Sequence, residues 1–421
     1  MLTLRWGPRQ IPVPRALSDW PVLDAPGLAP SAAAAAPWRR AAARAAEMAA
    51  ASLGPAGRLA LVIPDRTRPL PLPDLLPPLL RELAARGVGP RRVTIVPASG
   101  MHRPMSAGEL AEWIGEEAAG SGALLAPHDA RAPAVLLGTT RSGVPVAAHP
   151  AVALAGTALV VGRIVFHYLA GFGGGRKLLV PGTAALHTIV AVHSRCLAPR
   201  AGAGRHPRAR AGILDGNPVH EAACEAAGLF PPAVAIHVSL DAAGSIAEAR
   251  AGDVVDAHAQ AARTYGAAHR VTLDDPLDAV VVSAGGHPAD RDLVQAHKAL
   301  DAVAPVVKDG GTVVLVAACR DGLGNPELAE GLALGGPAEI ERELRRRFRV
   351  GVHTALALAE KTRRLQVAAL SELPDEALAL CGMRRVGSLD EAAALVRERH
   401  GAAARAALAP RGGALVYDVS G

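Results

Sequence analysis

The residues best able to do chemistry are densest between Phe166 and His193, a stretch reading FHYLAGFGGGRKLLVPGTAALHTIVAVH. It carries His167, His187 and His193, a glycine-dense turn (Gly171, Gly173, Gly174, Gly175), Lys177 and a Pro181-Gly182 stop. It continues the apolar run ALVVGRIVF, which reads as a strand ending at Phe166. Glycines after a strand let backbone approach a ligand and aim N–H groups at it, with Lys177 in reach of whatever those amides hold. The pattern suits a cofactor site, but spacing excludes two common ones. A Walker loop requires Gly before the Lys and Ser or Thr after it, whereas Arg176 and Leu178 flank Lys177. A dinucleotide fingerprint would need glycine where Arg176 stands, and LLVP after Lys177 reads as a strand rather than a helix.

Further polar clusters follow other strand-like runs. PDRTRP (64–69) follows RLALVI (58–63), and ASGMHRPMS, with His102, follows RVTIVP (92–97). Gln295 and Lys298 stand three apart in an expected helix, on one face. Each of these residues alone has a structural explanation: a satisfied histidine, a capping Asp65–Arg68 pair, a solvated lysine.

The elements that position them alternate. Strands at 58–63, 92–97, 134–138 and 158–162 are interleaved with helices at 31–52, 73–86 and 106–118, the last opening on a capping box, Ser106 to Glu109. This alternation argues for an α/β fold with largely parallel sheets. Residues 199–217 read as a Pro/Gly/Arg-rich connection, followed by helices at 218–227 and 252–265 around a strand at 233–240. A new α/β unit begins near 266–272, with a strand at 278–283, a helix at 291–304 and a strand at 310–319. We therefore expect two α/β domains, 1–268 and 269–406, with 407–421 returning to the first through a strand at 414–420. Ligands of open α/β sheets bind beyond the strand C-termini, so the active-site crevice is expected between the domains.

Taken in order, PDRTRP (64–69), GMHRP (100–104), FHYLAGFGGGRKLLVPG (166–182), His193 and GGHPADRDLVQAHKAL (285–300) resemble the nickel-pincer lactate racemases and their relatives. The resemblance runs from about residue 60 to 320. It implies a nickel-pincer nucleotide carried covalently on Lys177, with His193 as the protein ligand of nickel. It implies acid/base roles for His102 and His167, and cofactor contacts from Asp65, Thr67, Gly174, Gly175 and Arg176. Substrate contacts fall to Arg68, Gln295 and Lys298. The implied reaction is racemisation or epimerisation of a small 2-hydroxy acid by reversible hydride transfer, on a protein loaded by cofactor-synthesis enzymes. The chain departs from lactate-type members in two places. Val294 stands where an aromatic residue is expected, and all four tryptophans (Trp6, Trp20, Trp38, Trp113) are N-terminal. With His287 in the GG-x-P turn, these changes point to a larger or more polar substrate, a sugar acid included. The rival readings are a non-catalytic nucleotide- or metal-binding relative and a nicotinamide dehydrogenase, the latter opposed by the missing fingerprint.

Composition narrows the remaining classes. A net charge of +6 over 421 residues, with 3% aromatics, gives no basic stripe interleaved with aromatics and so no nucleic-acid surface. Cys196, Cys224, Cys319 and Cys381 form no C-x-x-C pair. Scattered thiols suit a reducing cytoplasm. No uncharged run approaches the ~20 residues of a membrane helix, and the N-terminus has no signal-peptide pattern.

Overall fold

The computed structural model describes residues 2–31 and 36–420. They fall into two compact units, one of Gly27–Arg195 and Ile213–Ala267, the other of Met1–Pro26, Cys196–Gly212 and Ala268–Gly421.

The first unit is built on a six-stranded sheet. Its spatial order is Ile246–Asp253, Ala233–Leu240, Thr157–Arg163, Leu59–Pro64, Val93–Ala98, Leu124–Leu125. Every neighbouring pair is parallel except the first. The central strands are buried along their whole length, as continuous apolar runs such as LALVIP require when both faces are covered. The helix Ala36–Ser52 contributes a buried alanine stripe (Ala41, Ala42, Ala45, Ala46, Ala49) to the core with Leu59, Leu61 and Ile63. Its expected first turn, 32–35, lies outside the described residues. The capping box is present: Ser106 Oγ accepts from Glu109 N at 3.1 Å and Glu109 Oε2 from Ser106 N at 2.8 Å.

Three expectations are corrected here, and one strand was missed. The strand read as ending at Phe166 stops at Arg163, and Phe166–His167 pairs antiparallel with Gly171–Phe172 in a separate small hairpin. The LLVP stretch is a helical turn, Arg176–Leu179. Only a few residues separate Gly175 from Pro181, and the amides of Lys177 and Leu178 bond back to Gly174 and Gly175 at 3.1 and 3.0 Å. Residues 135–139 pair with Pro145–Ala148 in a hairpin instead of joining the main sheet. The edge strand Ile246–Asp253 was not expected, since its partly exposed IAEARAGD has no run of large apolar residues.

The second unit has a five-stranded all-parallel sheet in the order Met383–Arg385, Gln366–Leu370, Val307–Val316, Leu277–Ser283, Ala406–Ala409. The C-terminal strand Val416–Val419 does not return to the first domain; it pairs in parallel with Arg270–Leu273. Ala406–Ala409 likewise closes the edge of this unit's own sheet. The chain's beginning also belongs here, because Leu4, Val13 and Leu17 complete an apolar layer with Val281, Val314 and Val316. Residues 196–212 are held by charge: Glu341 accepts from the amides of Gly202 and Gly204 at 2.9 and 2.8 Å, and Arg205 donates to Glu360 at 2.6 Å. Two α/β units with largely parallel sheets are thus the architecture indicated by the alternating pattern.

Candidate active site

Asp65 follows the strand Leu59–Pro64, and its carboxylate organises the loop. Oδ1 accepts from Thr67 N at 3.2 Å and Thr67 Oγ1 at 2.7 Å, closing a turn on its own backbone. Oδ2 lies 2.6 Å from Nδ1 of His102. Arg68 Nη1 stands 4.0 Å from Oδ1. Burial alone would raise the Asp65 carboxyl, but the hydrogen bond and charge of His102, then Arg68 and Thr67, outweigh it and hold the group below its ordinary range. Asp65 is therefore a carboxylate at neutral pH, and it pairs with an imidazole whose side chain is half exposed.

The His102 loop is fastened to the lysine stretch. The Gly100 amide donates to Gly182 O at 2.8 Å, and the Gly182 amide to Lys177 O at 3.0 Å. Lys177 and His193 are both buried. His193 ends the helix Leu186–His193, and its Nδ1 lies 2.8 Å from Ile189 O, one turn back. A carbonyl only accepts, so Nδ1 carries the proton. Burial, with the charges of Lys177 and Arg68 nearby, lowers His193 to about 4, so the ring is neutral at pH 7. The Lys177 amine, the His193 imidazole, Arg68 and the Asp65–His102 pair thus form one electrostatic neighbourhood. His187, on the same helix, lines instead a cavity of about 690 Å³ with Ala130, Leu136 and Val190.

His167 sits on the small hairpin, its Nδ1 facing the amides of Leu169 and Ala170 at 3.3 and 3.1 Å. Gln295 and Lys298 belong to the second unit, on the helix Leu293–Val303, which Asp292 caps through the Gln295 amide at 2.8 Å. Lys298 Nζ donates to Gln295 Oε1 at 2.5 Å.

The glycine turn and Arg176 are placed otherwise than a phosphate cradle alone would need. Arg176 is wholly buried. Its guanidinium donates to Ala170 O at 3.0 Å and lies 2.7 Å from Nε2 of His258, which is itself 2.9 Å from Gly173 O. Burial lowers Arg176 to about 10, still charged at neutral pH. His258 falls well below its usual value through burial and the Arg176 charge. Arg176 props the turn from beneath. His258 gave no local signal in the sequence, because it meets Arg176 only through the fold.

Gly174 and Gly175 adopt φ of +82° and +51°. A Cβ on Gly175 would stand 2.6 Å from Val254 O and 2.9 Å from His258 Cβ. Gly175→Ala is therefore expected to destabilise the protein by about 2–4 kcal/mol, combining left-handed strain with overpacking. Gly87→Ala, at φ +81° with nothing within 4 Å, is the control for strain alone. Denaturant titration of both variants checks this, and equal losses would remove the packing argument.

On an α/β framework the site thus gathers a buried lysine, a neutral buried imidazole and an Asp–His pair. Two domain descriptions match in order: the lactate racemase N-terminal domain over 35–204 and the lactate racemase C-terminal domain over 273–417. With both domains present, the chain belongs to the lactate racemase family. It is 31% identical over 268 residues to a lactate racemase of Thermoanaerobacterium thermosaccharolyticum and 33% over 279 residues to one of Lactiplantibacillus plantarum. These alignments cover 63% and 65% of this chain, and 61% and 63% of those proteins, less than two thirds of their length. The fold is similar to the lactate racemase apoprotein of T. thermosaccharolyticum (TM-score 0.85, 24% identity, 99% of each chain). It is also similar to a Thermotoga maritima protein (TM-score 0.65, 16% identity, 91% of this chain and 98% of that one).

Proposed function

We propose that this protein is a racemase or epimerase of 2-hydroxy acids that works with a nickel-pincer nucleotide tethered to Lys177. The observation that carries the reading is the buried Lys177 beside His193, whose Nδ1–H is committed to Ile189 O and whose ring is neutral. A neutral imidazole is a donor that nickel accepts, so His193 would fit the group. When bound, the group supplies the acceptor for the hydride of C2. His193 would ligate, Lys177 would tether, and the Gly174–Gly175 turn, Asp65 and Thr67 would frame the nucleotide. Arg68 would bind the substrate carboxylate as a fork. His102 and His167 handle the hydroxyl proton, and the Asp65 carboxylate lies opposite the charge His102 gains on taking it. Loading requires cofactor-synthesis enzymes. Four free cysteines, and no helix among the described residues long and apolar enough to cross a membrane, support a cytoplasmic setting. Val294 and the N-terminal tryptophans favour a substrate larger or more polar than lactate.

The test is production of the protein together with cofactor-synthesis enzymes. Intact mass should show an adduct that Lys177→Ala abolishes along with nickel and activity. A panel of C2-deuterated hydroxy and sugar acids should then invert with the label kept, because a hydride that leaves and returns does not mix with water. Absence of adduct and nickel would favour a non-catalytic binding protein, and label washout would replace hydride transfer by deprotonation at C2.

A further inference from the structure

The sheet does not itself space the Asp65–His102 pair. The register between strands Leu59–Pro64 and Val93–Ala98 ends where Pro64 faces Ala98. Asp65 is the next residue, and His102 stands four residues past Ala98. Both side chains therefore leave from loops, yet Oδ2 of Asp65 and Nδ1 of His102 meet at 2.6 Å. A misplacement of about 1 Å in such a contact can cost two orders of magnitude in rate. Something outside the ladder has to set it.

One short helix reaches both loops. Ala107–Ile114 is rooted in the core by Leu110 and Ile114, both wholly buried. Trp113 packs partly buried against the same core. Its Nε1–H donates at 3.1 Å to Pro64 O, the carbonyl that leads into Asp65. On the other side of Asp65, Arg66 Nη2 donates to Glu109 O at 3.1 Å and to Glu112 Oε2 at 2.8 Å. The residue after His102 is held by the same turn. Arg103 forks onto Glu109, Nη2 to Oε1 at 2.5 Å and Nη1 to Oε2 at 3.2 Å. Glu109 is itself fixed, because Oε2 also accepts from Ser106 N at 2.8 Å in the capping box. The Arg103 hydrogen bonds, then the Ser106 amide, hold its carboxyl down to about 2, so the fork is ionic at neutral pH.

These contacts matter for direction more than for stability. The Arg103 side chain is 72% exposed and that of Arg66 41%, and ion pairs so open to water add little to folding. A two-bond fork nevertheless fixes the course of the chain beside it. We propose that Trp113 and Glu109 are positioning residues, and that the helix carrying them sets the distance between Asp65 and His102. The proposal rests on the reading that His102 handles the proton of a substrate hydroxyl. Trp113 acts on the Asp65 side, from the core. Glu109 joins the two loops, taking Arg66 on its carbonyl and Arg103 on its carboxylate.

Trp113→Phe keeps the ring and drops the N–H. Glu109→Gln keeps the capping box and drops the charge. Ile114→Val, in the buried half of the same helix, is the control for lost stability alone. Long-range nitrogen–proton spectra of histidine-labelled apoprotein read the His102 tautomer, which His102→Gln assigns. The carboxylate at 2.6 Å only accepts, so the wild type should show Nδ1–H. Trp113→Phe should lower the ratio of Nδ1–H to Nε2–H about tenfold and Glu109→Gln about threefold, the worth of one buried hydrogen bond and one exposed pair. In cofactor-loaded enzyme kcat should fall by the same factors. Ile114→Val should lower the melting temperature by a few degrees and leave both tautomer and kcat in place. An unchanged tautomer ratio in Trp113→Phe or Glu109→Gln, or an equal change in Ile114→Val, overturns the proposal. If no adduct forms on Lys177, the function reading fails, while the apoprotein spectra still decide whether the helix spaces the pair.

Discussion

Asp65→Asn is expected to lower kcat/KM about 10²–10⁴-fold, the usual worth of a positioned general base, with nearly all of the loss in kcat. The carboxylate fixes the Nδ1–H tautomer of His102 from 2.6 Å and is itself held by Thr67. An asparagine at the same place can turn its NH₂ toward Nδ1, which moves the imidazole proton to Nε2 and removes the lone pair the substrate needs. Asp65 acts through His102, so it is a positioning residue, and its loss should be read in the tautomer as well as the rate. Nitrogen spectra should show His102 switched, while intact mass shows the Lys177 adduct unchanged. Stability should fall modestly, since the bonds and charges that hold the Asp65 carboxyl below its ordinary range outweigh its burial. A variant that retains kcat within a few-fold would mean that His102 selects its tautomer without help.

This arrangement was partly legible in the sequence. Runs such as LALVIP and VTIVPA announce parallel central strands because burial on both faces demands unbroken apolar sequence. The loops that follow them carry Asp65 and His102, and the strand positions alone place these near each other. What failed was the interval from Phe166 to Leu179. Its hairpin and helical turn are only a few residues each, too short for periodicity to speak. Their conformation comes from Val254, His258 and Ile213, residues distant in sequence. Arg176 shows the same limit. Its neighbours suggested a phosphate ligand, whereas its contacts make it a prop, and only the fold reveals which. The His193 orientation lay nearer to hand, since a helical histidine can reach the carbonyl four residues back. Family resemblance assigned roles to residues, but tautomers and burial had to come from geometry.

The histidines buried beside the site should also make the apoprotein acid-labile. His128 and His237 are lowered to about 4, first by burial, and His258 falls well below the ordinary 6.5 by burial and the Arg176 charge. All three sit in the unit that carries Lys177. Because the folded values are depressed, the unfolded chain binds more protons once pH drops below about 6.5, and stability falls with it. The stabilisation is whole above that value and is lost as pH descends toward about 4. Each such group costs up to roughly 1.4 kcal/mol per pH unit across the window. His128 and His237 together remove about 4 kcal/mol by pH 5, comparable with the whole stability of many domains, and His258 adds in the same direction. Carboxylates such as Asp65, whose values lie at or below the ordinary 3.8, titrate too low to share in this loss. The melting temperature of apoprotein should therefore drop on the order of 10–20 °C between pH 7.5 and pH 5. His128→Phe should shallow that slope by the equivalent of one proton. A melting temperature constant across this range would mean that these rings take up protons inside the fold, and that the platform beneath the glycine turn is open to water.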